Sequence, residues 1–317
     1  MHIFDELTYI NNSSLALGFF DGIHQGHKVV LKNAINIAKK NNTKSCVITF
    51  KEHPINTIRG EKVPQILTLD EKIEKLRELG IDNVILLDFE KYCSLKANEY
   101  LEDILIKYFS PIAITTGFNH SFGFNKEGTS EFLRNNAQKY NYKYFEVPPF
   151  VIKENVVSCS VIRSRISLGD FVFANELLGY NFFVQGKVIH GEHLASKLGY
   201  PSANIRYDDE KIKIPHGVYY VQVEYENKVY NGVLNHGFAP TLNNDSELKT
   251  EVHLIDFDKD IYGENIKISF VTKIREQMKF ENIDKLKAQI LRDIAFTDIY
   301  KHFLDKHFYI KQNNLKL

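Results

Sequence analysis

Short apolar runs alternate with stretches of helical periodicity through the first half of the chain. Residues 14–19, 45–50, 83–88 and 111–116 are rich in Val, Ile and Leu, and their length predicts buried strands. Between them, 26–40, 70–79, 97–108 and 130–140 return apolar residues at helical spacing, which predicts amphipathic helices. This alternation implies right-handed crossovers and a parallel sheet covered by helices on both faces. Such sheets bind ligands at the carboxyl ends of their strands. After about residue 180 the period changes. Residues 217–225, 228–234, 250–255 and 266–271 favour β-branched and aromatic residues with period two, and no helix is expected until 283–303. Successive strands without crossover helices predict an antiparallel barrel or sandwich with a closing helix. The change places a boundary near Asn181–Phe183, giving domains 1–181 and 182–317.

Composition narrows the partners. Across 317 residues, 40 Lys and Arg balance 40 Asp and Glu, so no global field favours nucleic acid or a membrane surface, and neither partner is expected. Asp5 and Glu6 stand where a signal peptide would carry lysines, and no apolar run approaches the length of a membrane span. Cys46, Cys93 and Cys159 are unclustered and form no CxxC, which speaks against a disulfide framework or a zinc site. A reducing cytoplasm fits this usage. Nothing here fixes an oligomeric state.

One segment carries chemistry on its face. Gly18-Phe19-Phe20-Asp21-Gly22-Ile23-His24-Gln25-Gly26-His27 follows a predicted strand and opens a predicted helix. Glycines at 18, 22 and 26 permit a tight turn and a close ligand approach. The amides and dipole at the helix start favour phosphate. His24 and His27, three apart, share a face and can donate hydrogen bonds to a polyphosphate; a zinc reading needs a third ligand at motif spacing, and the sequence offers none. Two solvated loop histidines are the plain alternative.

GFFDGIHQGH resembles the GxFDGxHxGH motif of the bacterial bifunctional riboflavin kinase/FMN adenylyltransferases. The likeness continues at Thr49–Pro54 (TFKEHP), at 117–123 (GFNHSFG), and at 158–163 (SCSVIR). By that resemblance the first domain is a Rossmann-like nucleotidyltransferase. His24 and His27 would stabilise the α-phosphoryl transition state and hold the triphosphate. Gly18, Phe20, Asp21, Gly22, His53, Asn119, Ser158, Ser160 and Arg163 would bind ATP and FMN, with Arg163 on the phosphates. The family usually has Pro at Glu52, Phe at His120, and Ser and Thr at Cys159 and Ser160.

The second half holds neither a P-loop nor the protein-kinase motifs. On a strand, Glu251 and His253 share one face and Val252 and Leu254 the other. A carboxylate there, aimed into a barrel, is a candidate general base for a hydroxyl; an exposed Glu and His on a surface strand is the rival reading. LGYPSANI resembles the GFPTAN motif of riboflavin kinases, EVHLIDFDKDIYG their EVHLLDF stretch, NHGFAPT their NIGxxPT, and 273–280 their xIRxExKF. The resemblance implies an ATP-dependent, Mg²⁺-assisted phosphorylation of riboflavin to FMN, followed in the first domain by adenylylation of FMN to FAD. Glu251 would deprotonate the ribityl 5′-hydroxyl, and Ser202 and Asn204 would hold Mg²⁺ with the ATP phosphates. Gly199, Pro201, Asn204, Asn235, Thr241 and Arg275 would bind ATP and flavin. Ser202 stands where the family has Thr, and Ala195-Ser196 where it has Gly-Arg. Two rivals stay open: an enzyme with one working half, and a flavin-binding regulator without chemistry.

Overall fold

The computed structural model describes residues 1–190, 200–238 and 248–314, with side chains up to residue 306. Gly199, Thr241 and the Ala195-Ser196 pair therefore lie outside the described residues. The chain divides into two compact units: Met1–Ile162 with Leu177–Gly179, and Arg163–Glu176 with Tyr180–Leu317.

The first unit is built on a six-stranded sheet. Its strands are β1 (His2–Phe4), β2 (Ser14–Leu17), β3 (Ser45–Phe50), β4 (Asn83–Leu87), β5 (Ala113–Gly117) and β6 (Lys143–Val147). They lie in the order β1-β4-β3-β2-β5-β6, and every neighbouring pair is parallel. β2, β3 and β4 are buried along almost their whole length and mostly apolar, because helices cover both faces of the sheet. Leu15, Leu17, Cys46, Ile48, Ile85 and Leu87 pack with Leu101, Leu105, Phe109 and Leu133 from the crossover helices. Two edge strands escape the sequence pattern: β1 has three residues, and β6 is mostly exposed, with Val147 its one buried position.

Helix α1 (Gln25–Lys40) buries Val30, Leu31, Ala34, Ile35 and Ala38, one stripe at helical spacing, and ends on Lys39 and Lys40, which suit its negative dipole end. α2 (Pro54–Arg59) starts on a proline, and α3 (Leu69–Leu79) on a Thr68–Glu71 capping box. Chain order reverses direction at β2, whose neighbours are β3 on one side and β5 on the other. That switch point opens a crevice at the carboxyl ends of β2 and β5. A small hairpin, β7 (Val151–Ile152) and β8 (Asn155–Val156), follows β6.

The second unit is a closed antiparallel barrel, in the order β10-β13-β12-β11-β14-β9. Its strands are β9 (Phe183–Ile189), β10 (Ala203–Tyr207), β11 (Gly217–Tyr225), β12 (Lys228–Phe238), β13 (Leu248–Leu254) and β14 (Asn265–Arg275). Closure removes the sheet edges that a sandwich would leave. The closing helix runs over Ile283–Asn314. No helix among the described residues is long and apolar enough to cross a membrane.

The segment preceding the barrel contributes to the barrel's own core. Phe171, fully buried, stacks on Phe270 at 4.7 Å and meets Tyr219 edge-on at 5.5 Å. The Asn175 amide donates to the Phe270 carbonyl at 2.8 Å and accepts from the Phe182 N–H at 2.7 Å. A fragment of residues 163–317 should therefore melt cooperatively. One of residues 183–317 loses Phe171, Asn175 and Phe182, and should be less stable by about 3 kcal/mol or more. Equal denaturation midpoints for the two fragments would remove this segment from the barrel's core.

Candidate active sites

The turn joining β2 to α1 runs through backbone that L-residues seldom adopt. Phe20 is left-handed (φ 57°, ψ 32°), and the buried, β-branched Ile23 sits at φ 35°. Gly22 lies between them at φ 78°, where a Cβ would be strained, and a Cβ on Gly18 would meet the Phe20 ring at 2.9 Å. Conformations of this kind cost about 1–3 kcal/mol each and persist where the surroundings enforce them. Here the surroundings are polar and buried. The Asp21 carboxylate accepts from the Ile66 and Leu67 amides at 2.9 and 3.3 Å. The Phe19 carbonyl accepts from the Thr49 hydroxyl at 2.9 Å and from Lys72 Nζ at 3.4 Å. The Cys159 thiol donates to the Asp21 carbonyl at 2.8 Å.

The turn opens onto a cavity of about 410 Å³ lined by Gly18, Phe20, His24, His27, Asn119, Ser158 and Ser160 among others. Asp21, Gly22 and His53 are not among its lining residues. Asp21 is turned to the Ile66–Leu67 amides, and His53 caps α2 by accepting the Ile55 N–H at 3.2 Å. Arg163 begins the segment that clusters with the second unit. Glu52 is exposed, and His120 lines the cavity.

His24 is the N-cap of α1; its Nδ1 accepts the His27 N–H at 3.2 Å, which puts the ring proton on Nε2. The two imidazoles stack at 3.6 Å, and the Phe20 ring stands edge-on to His27. Burial lowers the His24 pKa to about 4, with Lys28 adding to the shift. Burial of the His27 ring, with His24 and Lys72 nearby, lowers its pKa well below the usual value. Both rings are therefore neutral hydrogen-bond donors at neutral pH.

In the barrel, three candidates scattered over the sequence fall in one row. Asn204 on β10 pairs with Glu251 on β13, and Glu251 pairs with Asn235 on β12. Directly paired residues project on the same face, so the carboxylate stands between two carboxamides. That face is not the barrel's interior: Thr250, Val252 and Leu254 are buried, while Glu251 and His253 are half-exposed on the opposite side. The expectation of a carboxylate aimed into the barrel is corrected accordingly. The interior is filled by apolar side chains such as Leu234 and Val252, which leave no solvated place for a carboxylate. Pro201 and Ser202 line a second cavity of about 310 Å³ with Asp258, Lys259 and Tyr262. The Pro201 carbonyl accepts from His253 Nδ1 at 2.8 Å. The Arg275 guanidinium is bonded to the buried Asp293 of the closing helix, from Nε at 3.0 Å and Nη2 at 2.8 Å.

Three residues take part beyond those assigned a role from the sequence: Cys159 and Gln277 lie inside quoted motifs without one, and Lys72 lies outside every motif. Lys72 is buried, donates to the carbonyls of Phe19 and Phe50, and lies 4.2 Å from the Phe19 ring centroid. Burial lowers its pKa to about 8 while the Asp21 charge opposes the shift. Gln277 donates to Asn235 Oδ1 at 3.0 Å. Cys159 brings a third donor to the histidine pair: ligand atoms of His24, His27 and Cys159 all lie within 4.8 Å of one another. Motif spacing offers no third ligand because Cys159 arrives from the far end of the domain.

Burial also holds the pKa values of His120 and His236 down at about 4. An unfolded histidine protonates near pH 6.5 and these do not, so their contribution to stability is complete above that pH and is lost as pH falls toward 4. At pH 5 the loss is roughly 2 kcal/mol for each fully buried ring, such as His24 and His236. The thermal midpoint should fall by about 4 °C or more between pH 7 and pH 5. A flat midpoint would mean that these rings protonate in the native state.

Comparison with known proteins gives one answer over nearly the whole chain. A family model described as FAD synthetase matches residues 7–161, and one described as riboflavin kinase matches 178–300. A bifunctional riboflavin kinase/FMN adenylyltransferase of Buchnera aphidicola is 33% identical over 92% of this chain and 94% of its own length. The Bacillus subtilis protein of that name is 33% identical over 89% of this chain and 90% of itself. The Escherichia coli K12 protein is 32% identical over 88% and 90%. A solved structure from Streptococcus pneumoniae, described as a macrolide-efflux protein, is 32% identical and superposes with a TM-score of 0.84, covering 94% of this chain and 98% of that one. With both family models matched in order and relatives aligned over about nine tenths of either chain, the chain belongs to the bifunctional riboflavin kinase/FMN adenylyltransferase family.

Proposed function

We propose that this chain is a cytoplasmic enzyme of FAD synthesis that uses ATP twice. Riboflavin is phosphorylated to FMN by residues 182–317, and FMN is adenylylated to FAD with release of pyrophosphate by residues 1–181. The observation that carries this reading is convergence. His24, His27, Asn119, Ser158 and Ser160 meet on one cavity at the switch point of a parallel sheet, while Asn204, Glu251 and Asn235 meet in one row across three barrel strands.

In adenylyl transfer a phosphate oxygen of FMN attacks the α-phosphorus of ATP, and the bond to pyrophosphate breaks. No covalent intermediate is needed, so the protein orients the reactants and stabilises charge. His24, with its proton on Nε2, donates to the phosphates without changing protonation, and His27 acts beside it. The start of α1 adds its dipole and amides. The Asn119, Ser158 and Ser160 side chains and the glycine-rich backbone from Gly18 to Gly22 hold the nucleotide.

In phosphorylation, Glu251 takes the ribityl 5′-hydroxyl proton as that oxygen attacks the γ-phosphorus of ATP, and the bond from that phosphorus to the bridging oxygen breaks to release ADP. Asn204 and Asn235 fix the carboxylate from either side. Ser202, Asn204 and Glu251 offer only oxygen donors, the set a hard cation takes, so the residues fit magnesium. Ser202 and Asn204 would hold Mg²⁺, which when bound screens the charge of the transferring phosphoryl group.

Purified protein incubated with riboflavin, ATP and Mg²⁺ should yield FMN and then FAD by chromatography; formation of neither would sink the enzymatic reading. His27→Ala should lower FAD formation from supplied FMN by about 10²–10³ and leave riboflavin phosphorylation nearly intact. Glu251→Gln should do the reverse, and equal loss of both activities in either folded variant would break the two-site assignment. At Ser202 the oxygen matters more than the bulk. Ser202→Ala should cripple FMN formation and Ser202→Thr preserve it, whereas a fully active Ser202→Ala enzyme would take Ser202 out of the site.

A further inference from the structure

The adenylyl-transfer cavity holds a donor set that its phosphate chemistry does not call for. His24, His27 and Cys159 present two imidazoles and a thiol with ligand atoms within 4.8 Å of one another. Around a tetrahedral zinc-class ion such atoms stand about 3.5 Å apart, so closing the set takes side-chain adjustments of about an ångström. Both rings are neutral at neutral pH, the form that ligates metals. Nδ1 of His27 is shielded from solvent and has no hydrogen-bond partner among the described residues, a buried polar atom awaiting a ligand. Two nitrogens and a sulfur favour borderline and soft divalent ions over magnesium, which prefers oxygen.

We propose that His24, His27 and Cys159 form a binding site for a thiophilic divalent transition ion of the zinc class, and that an ion there shuts down adenylyl transfer. Binding releases the Cys159 thiol proton to solvent and gives up the bond to the Asp21 carbonyl. His24 shifts its ring proton from Nε2 to Nδ1 and releases the His27 N–H, and the stacked rings turn so that their lone pairs converge. With three protein ligands, a fourth position stays open toward the cavity, as in catalytic zinc sites. The inhibitory part rests on the reading of these histidines as phosphate donors: once ligated, their nitrogens no longer donate to the triphosphate.

The test uses the full chain in a non-thiol reductant and begins without nucleotide or flavin. Titration with Co²⁺ should produce a thiolate-to-cobalt charge-transfer band that saturates at one ion per chain and is discharged by Zn²⁺. The near-isosteric Cys159→Ser should lack that band and bind Co²⁺ at least about tenfold more weakly. No band in the wild-type protein, or the same band in the variant, overturns the site. In the second arm, Zn²⁺ added to FMN, ATP and Mg²⁺ should suppress FAD formation in the wild type. Suppression of Cys159→Ser, measured against its own zinc-free rate, should need at least about tenfold more Zn²⁺. Riboflavin phosphorylation by the same protein should be unchanged over that range. Equal sensitivity of the two proteins overturns the inhibitory role. Absence of FAD formation without zinc is a failure of the proposed function instead, and the cobalt titration still decides the site.

Discussion

A carboxylate and an ammonium group, Asp21 and Lys72, fix the position of the β2–α1 turn, and the chemistry of the first unit depends on that turn. Three departures from ordinary backbone within four residues, at Phe20, Gly22 and Ile23, aim the start of α1 at the cavity. Left alone, such a loop would relax. It is held because Asp21 satisfies two amides of the neighbouring loop while Lys72 ties the carbonyl ends of β2 and β3 together through Phe19 and Phe50. A buried lysine is expensive to keep charged, and its lowered pKa records that cost. The nearby Asp21 charge and the two carbonyls offset it. Strain in the turn and desolvation of the lysine are thus two sides of one arrangement.

The two units bring their candidate site residues together by different geometric means. A parallel sheet offers the common end of its strands, where amides, a helix dipole and loop side chains gather at the switch point beside β2. An antiparallel barrel has no such end. It supplies register instead: side chains directly across the ladder stand about 5 Å apart, near enough for Asn204, Glu251 and Asn235 to act on one another. Gln277 extends the row by donating to Asn235, and Arg275 ties β14 to the closing helix through Asp293.

What was legible in the sequence follows from what each signal measures. Buried runs such as Ser45–Phe50 and the α1 stripe are consequences of periodic burial, so the parallel sheet could be read directly, whereas the period-two strands after residue 180 fit a sandwich as well as the closed barrel. β1 and β6 lie at sheet edges, where burial is incomplete and the pattern fades. Motifs located the cavity because glycines and histidines cluster locally around the turn. They did not tell which polar residues hold the scaffold. Asp21 within the motif serves the Ile66–Leu67 amides, and Lys72 sits in what reads as an ordinary amphipathic helix. Alternation along β13 correctly separated Glu251 from Val252, but period two does not say which face is inside; only closure of the barrel decides that.

On the proposed assignment of the His24–His27 cavity to adenylyl transfer, neutral histidines also bear on how charge is divided there. Rings held neutral by burial contribute directed hydrogen bonds and no net charge. Because His24 Nδ1 is occupied by the His27 N–H, the donor at Nε2 is set before any nucleotide arrives, and no free energy is spent choosing a tautomer during the reaction. Compensation of the polyphosphate's charge then falls to the start of α1 and to cations brought with or near the substrate. Such a division keeps the donors fixed in place while the mobile charges arrive with ATP. It also leaves the resting cavity with uncharged nitrogens beside a thiol, an environment whose affinities differ from those of the phosphate-loaded site.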